Sequence, residues 1–340
     1  MKKVLFICGS LNQTTQMHQI AAHLKEEAGC YFTPYYADGI EDFAARMGWL
    51  DFTVLGGRHR RETDSYLAQN RLKVDLRGEG HSYDLVVTCS DLVIQKNIRK
   101  KRIVLIQEGI TEPESFMFHL VKWLKLPRYL ANTSTNGLSN AYDLFCVASE
   151  GYAEHFIRKG VRPEKIAVTG IPNFDYMDSF RHNPFPYHDH VLVATTPFRE
   201  TFRYDDRAAF IQRCVEIAGE RTLIFKLHPM ENARRAIREI STHASDAMIF
   251  THGNVSHMIA NASVVITQQS TSTFVAVALG KETYSNLNLN QLKKLMPAQN
   301  GGTSAGQIAR LCARLLSAPE LRLEGSRAKT RRPQALPERP

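Results

Sequence analysis

The stretch Ile166-Ala-Val-Thr-Gly-Ile-Pro-Asn-Phe-Asp175 decides how the chain divides. It closes one series of short apolar runs, and residues 173–189, rich in Pro, Phe, His and Asn, follow as a linker would. Val191-Leu-Val-Ala194 then opens a second series. Ahead of the linker the runs fall at residues 4–8, 52–55, 85–88, 103–106 and 144–148; behind it they fall at 191–194, 223–227, 248–250 and 264–267. They do not alternate in polarity, which suits strands of a parallel sheet covered on both faces. Helical stretches at 17–27, 205–219, 233–242, 255–260 and 272–279 supply the crossovers. The expected fold class is α/β, with two Rossmann-like, doubly wound domains facing a central cleft. The first covers residues 1–172 and the second 173–320, while the basic, Pro-containing tail 321–340 is expected to be disordered. Ligands of open α/β sheets sit beyond the carboxyl ends of the strands, so the cleft is the expected site.

The bulk composition agrees. A chain of 340 residues with 43% hydrophobic residues has material for two cores of ordinary size. No apolar run reaches the length of a membrane span. Met1-Lys2-Lys3 precedes an apolar run that Gly9-Ser10 interrupts after five residues, which reads as a first strand and not as a signal peptide. The six cysteines show no CxxC spacing and read as reduced thiols of a cytoplasmic protein, with neither disulfides nor zinc implied. A net charge of +9 suits nucleic acid, an anionic membrane face or phosphorylated small molecules, although the tail supplies part of it through Arg327, Lys329, Arg331, Arg332 and Arg339.

Four segments carry polar or special residues directly after a strand. Gly9-Ser10-Leu-Asn12 opens a helix and either presents backbone N–H groups to an anion or is a capped turn. It is neither GxxxxGK[ST] nor GxGxxG. Glu108 and Gly109 follow the run 103–106; a Glu in a partly desolvated cleft can take a proton from an acceptor hydroxyl, or it can cap the next segment. In Lys226-Leu-His228-Pro229 the proline ends the strand and holds His228 at its tip, where an imidazole can donate to a phosphate. Gln269 then leads into four consecutive hydroxyls, Ser270, Thr271, Ser272 and Thr273, at a helix start, which make either an anion site or an over-provided N-cap.

The last three segments resemble GT-B enzymes of the group that includes bacterial polysialyltransferases, Kdo-type capsule transferases and teichoic acid glycerophosphotransferases. Those enzymes share an acidic-Gly motif, a His-Pro motif and a serine-rich motif, matched here in that order by Glu108-Gly109, His228-Pro229 and residues 270–273. Their acidic motif often has two acids before glycine, and here Gln107 occupies the first place. The resemblance implies a glycosyltransferase working in cell-surface polysaccharide synthesis with a nucleotide-sugar donor, several of the group using cytidine nucleotides. It implies Glu108 as base, and His228 with the hydroxyl run on the donor phosphate. It further implies that no metal or cofactor is needed. The donor side is then expected to comprise Lys226, Pro229, Gln269, Ser270, Thr271, Ser272, Thr273 and Thr196, and the acceptor side Gly9, Ser10, Asn12 and Gly109. A single base without an obvious nucleophile leans towards inversion.

Residues 166–175, the stretch around His228 and the Ala278-Leu-Gly-Lys281 turn also look like UDP-N-acetylglucosamine 2-epimerases. Where those carry His-Arg-Arg-Glu-Asn, this chain has Thr195-Thr196-Pro-Phe-Arg-Glu200, and Gln269-Ser-Thr-Ser272 replaces their Asp-Ser-Gly-Gly loop. Epimerase chemistry is therefore the alternative, with a non-catalytic nucleotide-sugar or nucleic-acid binder as the third reading. The basic clusters Arg58-His59-Arg60-Arg61 and 96–102 either steer an anionic donor or acceptor or are solvated faces, and aromatics are not interleaved with them as an RNA-stacking surface would require, so no nucleic-acid partner is expected. Residues 116–130 mix Phe116, Leu120, Trp123, Leu124 and Leu126 with Lys122, Lys125 and Arg128. They form either a peripheral contact with the inner membrane face, where a lipid-linked acceptor would be presented, or a core helix with snorkelling lysines.

Overall fold

The computed structural model describes residues 1–318, apart from Phe52, Ile110, Glu112, Pro113, Ser115, Lys125 and Phe202. The tail 321–340 lies outside the described residues. Six strands build the first sheet: β1 (Lys2–Cys8), β2 (Ala28–Pro34), β3 (Leu85–Thr88), β4 (Arg102–Ile106), β5 (Leu144–Val147) and β6 (Ile166–Val168), in the order β2-β1-β3-β4-β5-β6. Five build the second: β7 (Val191–Ala194), β8 (Leu223–Lys226), β9 (Met248–Phe250), β10 (Val264–Thr267) and β11 (Glu282–Tyr284), in the order β11-β10-β7-β8-β9. Every pairing is parallel. The expected class of two doubly wound α/β units is what the chain forms.

The unbroken apolar runs have a direct cause. Along β1, Leu5 and Ile7 enter one core while Val4, Phe6 and Cys8 enter another, so neither side of the strand meets water. In β7, Val191 and Val193 pack away from Leu192 in the same way. The cluster containing Leu5 and Leu105 continues through Leu192, Ile224 and Phe274, so one apolar layer runs through both units.

Three edge strands were not expected from the sequence. β2 contains Gly29 and ends in Pro34, both strand-weakening, yet an edge tolerates them. β6 and β11 have three residues each, too few for a periodicity to register. The expected strand at 52–55 is absent: Thr53, Val54 and Leu55 form turns before the helix Gly57–Gln69, and Phe52 lies outside the described residues. The first helix, Leu11–Leu24, begins six residues ahead of its expected start, because Ser10 Oγ accepts the Gln13 N–H at 3.2 Å and caps it.

The helix Ser304–Ser317 falls within the stretch 173–320 but packs on the first sheet. Its Ala305, Ile308, Ala309 and Cys312 share a core with Val4, Met17, Ile20 and Leu24. The returning segment is held where it meets the outgoing one. Asp175 accepts the Ser304 N–H on Oδ2 at 2.7 Å and the Gly301 N–H on its carbonyl at 3.0 Å. Asn300 donates to the Thr169 carbonyl at 2.9 Å. All six cysteines are unpaired, and burial pushes the thiols of Cys8, Cys146 and Cys214 up to about 12. Among the described residues no helix is long and apolar enough to cross a membrane.

Ile308 is fully buried on this returning helix. Ile308→Ala should therefore lower the unfolding free energy by about 2–5 kcal/mol, read from urea midpoints. An unchanged midpoint would mean that the helix adds nothing to the first core.

Candidate functional site

Strand order puts the polar segments where two sheets can share a ligand. In the first sheet β1 stands between β2 and β3, and in the second β7 stands between β10 and β8, so the crossovers diverge at both points. Ser10 follows β1 and Glu108 follows β4. Thr195 and Thr196 follow β7, His228 follows β8, and Gln268 to Thr271 follow β10.

On the first unit the Gly9 turn and the Glu108 turn meet. The Glu108 carboxylate accepts Ser10 Oγ at 2.8 Å and Asn12 Nδ2 at 3.3 Å on Oε1, and Gln13 Nε2 at 2.5 Å on Oε2. Each carboxylate oxygen has two acceptor directions, so Oε2 keeps one for a further hydroxyl. Gln16 Nε2 fixes the Glu108 carbonyl at 3.1 Å. A side chain at Gly9 would displace the Gln13 amide that holds Glu108. Gln107 is buried and fully engaged: its Nε2 donates to the Gly109 carbonyl and its Oε1 accepts the Ala148 N–H, both at 2.9 Å. A carboxylate in its place would set one oxygen against the Gly109 carbonyl. The amide therefore suits this strand end, and Glu108 is the acid of the pair that reaches the cleft.

On the second unit the loop after β8 is organised by Glu231, three residues beyond His228. Its Oε2 accepts the Thr195 hydroxyl and the His228 N–H, the latter at 2.9 Å, and its Oε1 accepts Arg207 Nη2 at 2.9 Å. Arg207 and Glu231 are nearly fully buried, so each charge requires the other. His228 Nδ1 accepts the Met230 N–H at 3.1 Å, which assigns the ring proton to Nε2. Burial, then the charges of Lys226, Arg58 and His59, push His228 down to about 4. At neutral pH the ring is thus an uncharged Nε2–H donor. Lys226 is buried and holds the carbonyls of Leu227 at 2.9 Å and Thr251 at 3.3 Å; burial lowers its pKa first, and Arg58 adds to the effect.

The hydroxyl run divides by role. Thr273 is fully buried, bonded to the Thr267 hydroxyl at 2.9 Å and the Ser270 carbonyl at 2.8 Å, so it braces the turn. Ser270 Oγ accepts the Ser272 N–H at 3.2 Å, and Thr271 makes no side-chain cap. Thr271 is exposed, and Ser270 and Ser272 are half-buried. Thr196 Oγ1 and the Gln269 backbone exchange bonds of 3.3 Å, joining β7 to β10 at their carboxyl ends.

Contacts then run between the two units. A methyl group on Gly109 would stand 3.1 Å from Thr271 Cγ2, so the two motif turns face each other at close range. Arg58 Nη1 donates to the Pro229 carbonyl at 2.5 Å. Asn173 Nδ2 donates to Asn12 Oδ1 at 2.7 Å and to Thr15 Oγ1 at 2.9 Å, tying the connecting segment to the first helix.

Solved structures share this fold. A UDP-GlcNAc 2-epimerase from Neisseria meningitidis bound to UDP-GlcNAc matches 92% of this chain over 100% of its own, with a TM-score of 0.58 and 11% identity. A UDP-N-acetylglucosamine 2-epimerase from Rickettsia bellii matches 93% of this chain over 96% of its own, at 0.52 and 12% identity. A variant of the wall teichoic acid polymerase TagF matches 93% over 89%, at 0.50 and 12% identity. The chain has the GT-B fold. At these identities the likeness speaks for the fold and nothing finer, and it agrees with the resemblance read from the motifs. No family model matches the chain, and neither does any curated protein.

Sequence reading named Ser10, Asn12, Glu108, Gly109, His228, Pro229 and residues 269–273, and the fold gathers them at the facing strand ends. It assigned no role to Gln13, Asn173, Arg207 or Glu231, and it placed Arg58 only in a basic cluster that either steers an anionic ligand or is a solvated face. Glu231 carried a usable signal, an acid three residues after His228 in a Pro-containing turn. The partners of Arg58 and Asn173 were not legible, because they lie 171 and 161 residues away.

The depressed His228 pKa has a consequence for stability. Its unfolded value of 6.5 exceeds the folded value of about 4, so the unfolded chain binds the proton first as pH falls. Stability should drop as pH is lowered through this window, and buried His190, likewise near 4, should add to the loss. In His228→Asn the fall in urea midpoint between about pH 7 and about pH 5 should be smaller. An equal fall in both proteins would mean that His228 titrates normally.

Proposed function

We propose that this chain is a glycosyltransferase that moves a sugar from a nucleotide-activated donor, with a CMP-linked sugar as first candidate, onto a glycan or lipid-linked glycan, without a metal ion. The observation that carries the reading is the facing of the Glu108-Gly109 turn and Thr271 across the cleft, with the His228-Pro229 loop tied to the same unit by Arg58. A base and an anion-stabilising group on opposite walls are what sugar transfer requires. A protein of the same fold that holds UDP-GlcNAc supports a nucleotide-sugar as the ligand class. The unpaired cysteines support a cytoplasmic location.

In this mechanism the acceptor hydroxyl gives its proton to Oε2 of Glu108 while its oxygen attacks the anomeric carbon. The bond from that carbon to the donor phosphate breaks, and the nucleotide leaves with the electron pair. His228 Nε2–H, Thr271 and Ser272 hydrogen-bond the departing phosphate, and Lys226 and Arg58 add positive charge nearby. One base and no enzyme nucleophile correspond to inversion. Glu231 and Glu200 are engaged by Arg207 and Arg235, so proton transfer is assigned to Glu108.

Glu108→Gln should keep nucleotide binding and lose about 10²–10⁴-fold in transfer. His228→Ala should lower turnover by about 10²–10³-fold and weaken donor binding. Full activity in either variant removes that residue from the mechanism. A thermal-shift screen of CMP, CDP, UDP and GDP should show stabilisation by cytidine nucleotides. Accumulation of a free epimerised sugar from UDP-N-acetylglucosamine alone would replace the transferase with an epimerase.

A further inference from the structure

Two lysines among the described residues are buried, Lys226 and Lys159. Lys226 belongs to the cleft. Lys159, 3% exposed, ends the helix Glu150–Lys159 and takes no part in the chemistry of the cleft. An ammonium group carries three N–H donors. One meets the Ser134 carbonyl, and beyond it lie only ring faces, with the Phe118 and Phe156 centroids 5.0 and 6.0 Å from Nζ. Among the described residues no carboxylate forms an ion pair with Lys159, and Glu114 raises its pKa only from further away. Burial pushes the group down to about 8, which leaves it mainly charged at neutral pH. A buried cation without a counter-charge is costly, so two unused donors call for a partner outside the chain.

A cavity of about 430 Å³ adjoins this lysine, within the range of roughly 300–1,000 Å³ that ligand pockets occupy. Its lining combines apolar Val121, Leu126 and Leu138 with cationic Lys122, Arg128 and Lys159, and no acid is among the described residues that line it. Arg128 is committed to Asp91, through Nη1 on Oδ2 at 2.9 Å and Nη2 on the carbonyl at 2.5 Å. The two lysines are not so committed. Lys122 Nζ donates to the Lys159 carbonyl at 3.2 Å, and both ammonium groups lie over the Phe118 ring, 5.9 and 5.0 Å from its centroid. Two like charges gathered at one ring with no acid beside them form a place that an anion relieves. The helix that carries Lys159 starts just beyond β5 and runs ten residues, roughly 15 Å, from that strand end. The Lys159 end of the cavity is thus remote from the strand ends that hold Ser10 and Glu108, and no residue assigned to the cleft lines it.

We propose that this cavity is a second binding site, for a small organic anion whose carboxylate or phosphate group meets Lys159 and Lys122 and whose short apolar body lies against Val121, Leu126 and Leu138. A bare inorganic anion would answer the lysines and leave the apolar wall to water. A neutral apolar molecule would leave the buried charge unanswered. The site does not depend on which donor the cleft takes.

Hexanoate, benzoate and phenyl phosphate at constant ionic strength are the probes. At least one should raise the thermal midpoint of the full chain with saturation, as a ligand of the folded state does. Hexanol and inorganic phosphate should raise it less. Lys159→Met should abolish the shift. Lys122→Ala, at an exposed position, should leave the ligand-free midpoint unchanged and weaken binding about tenfold, so the test stands even if Lys159→Met does not fold. His228→Ala should leave the shift as it is, which separates this site from the cleft. No saturable shift with any of the three probes would overturn the proposal. So would a shift undiminished in both lysine variants, because the anion would then bind elsewhere. An equal response to hexanol or to inorganic phosphate would overturn the ligand class.

Discussion

The cleft depends on the junction at Asp175, where the chain leaves the first sheet and later returns to it. The Asp175 carboxylate is buried and accepts the N–H at the start of the last helix, while its backbone carbonyl accepts Gly301. Buried polar groups need partners, and here the partners come from two crossings of the same boundary. The junction joins the outgoing and returning strands of the connection, so the two sheets are linked by a pair of segments. Asn173, two residues away, extends the same fastening to the first helix and thus to the turn that holds Glu108.

With both sheets covered on both faces, apolar packing consumes nearly every strand residue, and only the carboxyl edges remain for chemistry. The polar side chains there serve two purposes. Gln107, Thr195, Arg207, Glu231 and Thr273 satisfy one another or the backbone and hold the turns in shape. Glu108, His228, Thr271 and Ser272 are held by that scaffold and keep functional groups directed outward. Positive charge gathers around His228 from both units, since Lys226 comes from β8 and Arg58 from the facing helix. Burial first, and that field after it, keep the imidazole neutral, which suits a hydrogen-bond donor to an anion more than an acid.

The outer surface of the first unit repeats this economy. The helix after β4 buries Phe118 and Val121 and leaves Phe116 and Trp123 outside, whereas the helix after β2 buries none of its residues. The sequence reading of residues 116–130 offered a membrane contact or a core helix as alternatives. The folded helix packs Phe118 and Val121 inward and leaves Phe116 and Trp123 exposed.

What the sequence by itself determined was local. Unbroken apolar runs named eight of the strands, because a strand buried on both sides needs apolar residues at every position. Special residues just past those runs named the candidate residues that the fold places at the strand ends, because strand ends in open α/β sheets are where backbone groups and side chains stay free. Tertiary structure alone decided the edge strands β2, β6 and β11, whose short or broken patterns are tolerated only at an edge. It alone decided that residues 304–317 complete the first core, that Arg58 reaches Pro229, and that Gly109 faces Thr271. Those pairings join positions far apart in the chain, and their energy comes from burial and hydrogen bonds that exist only once both partners are in place.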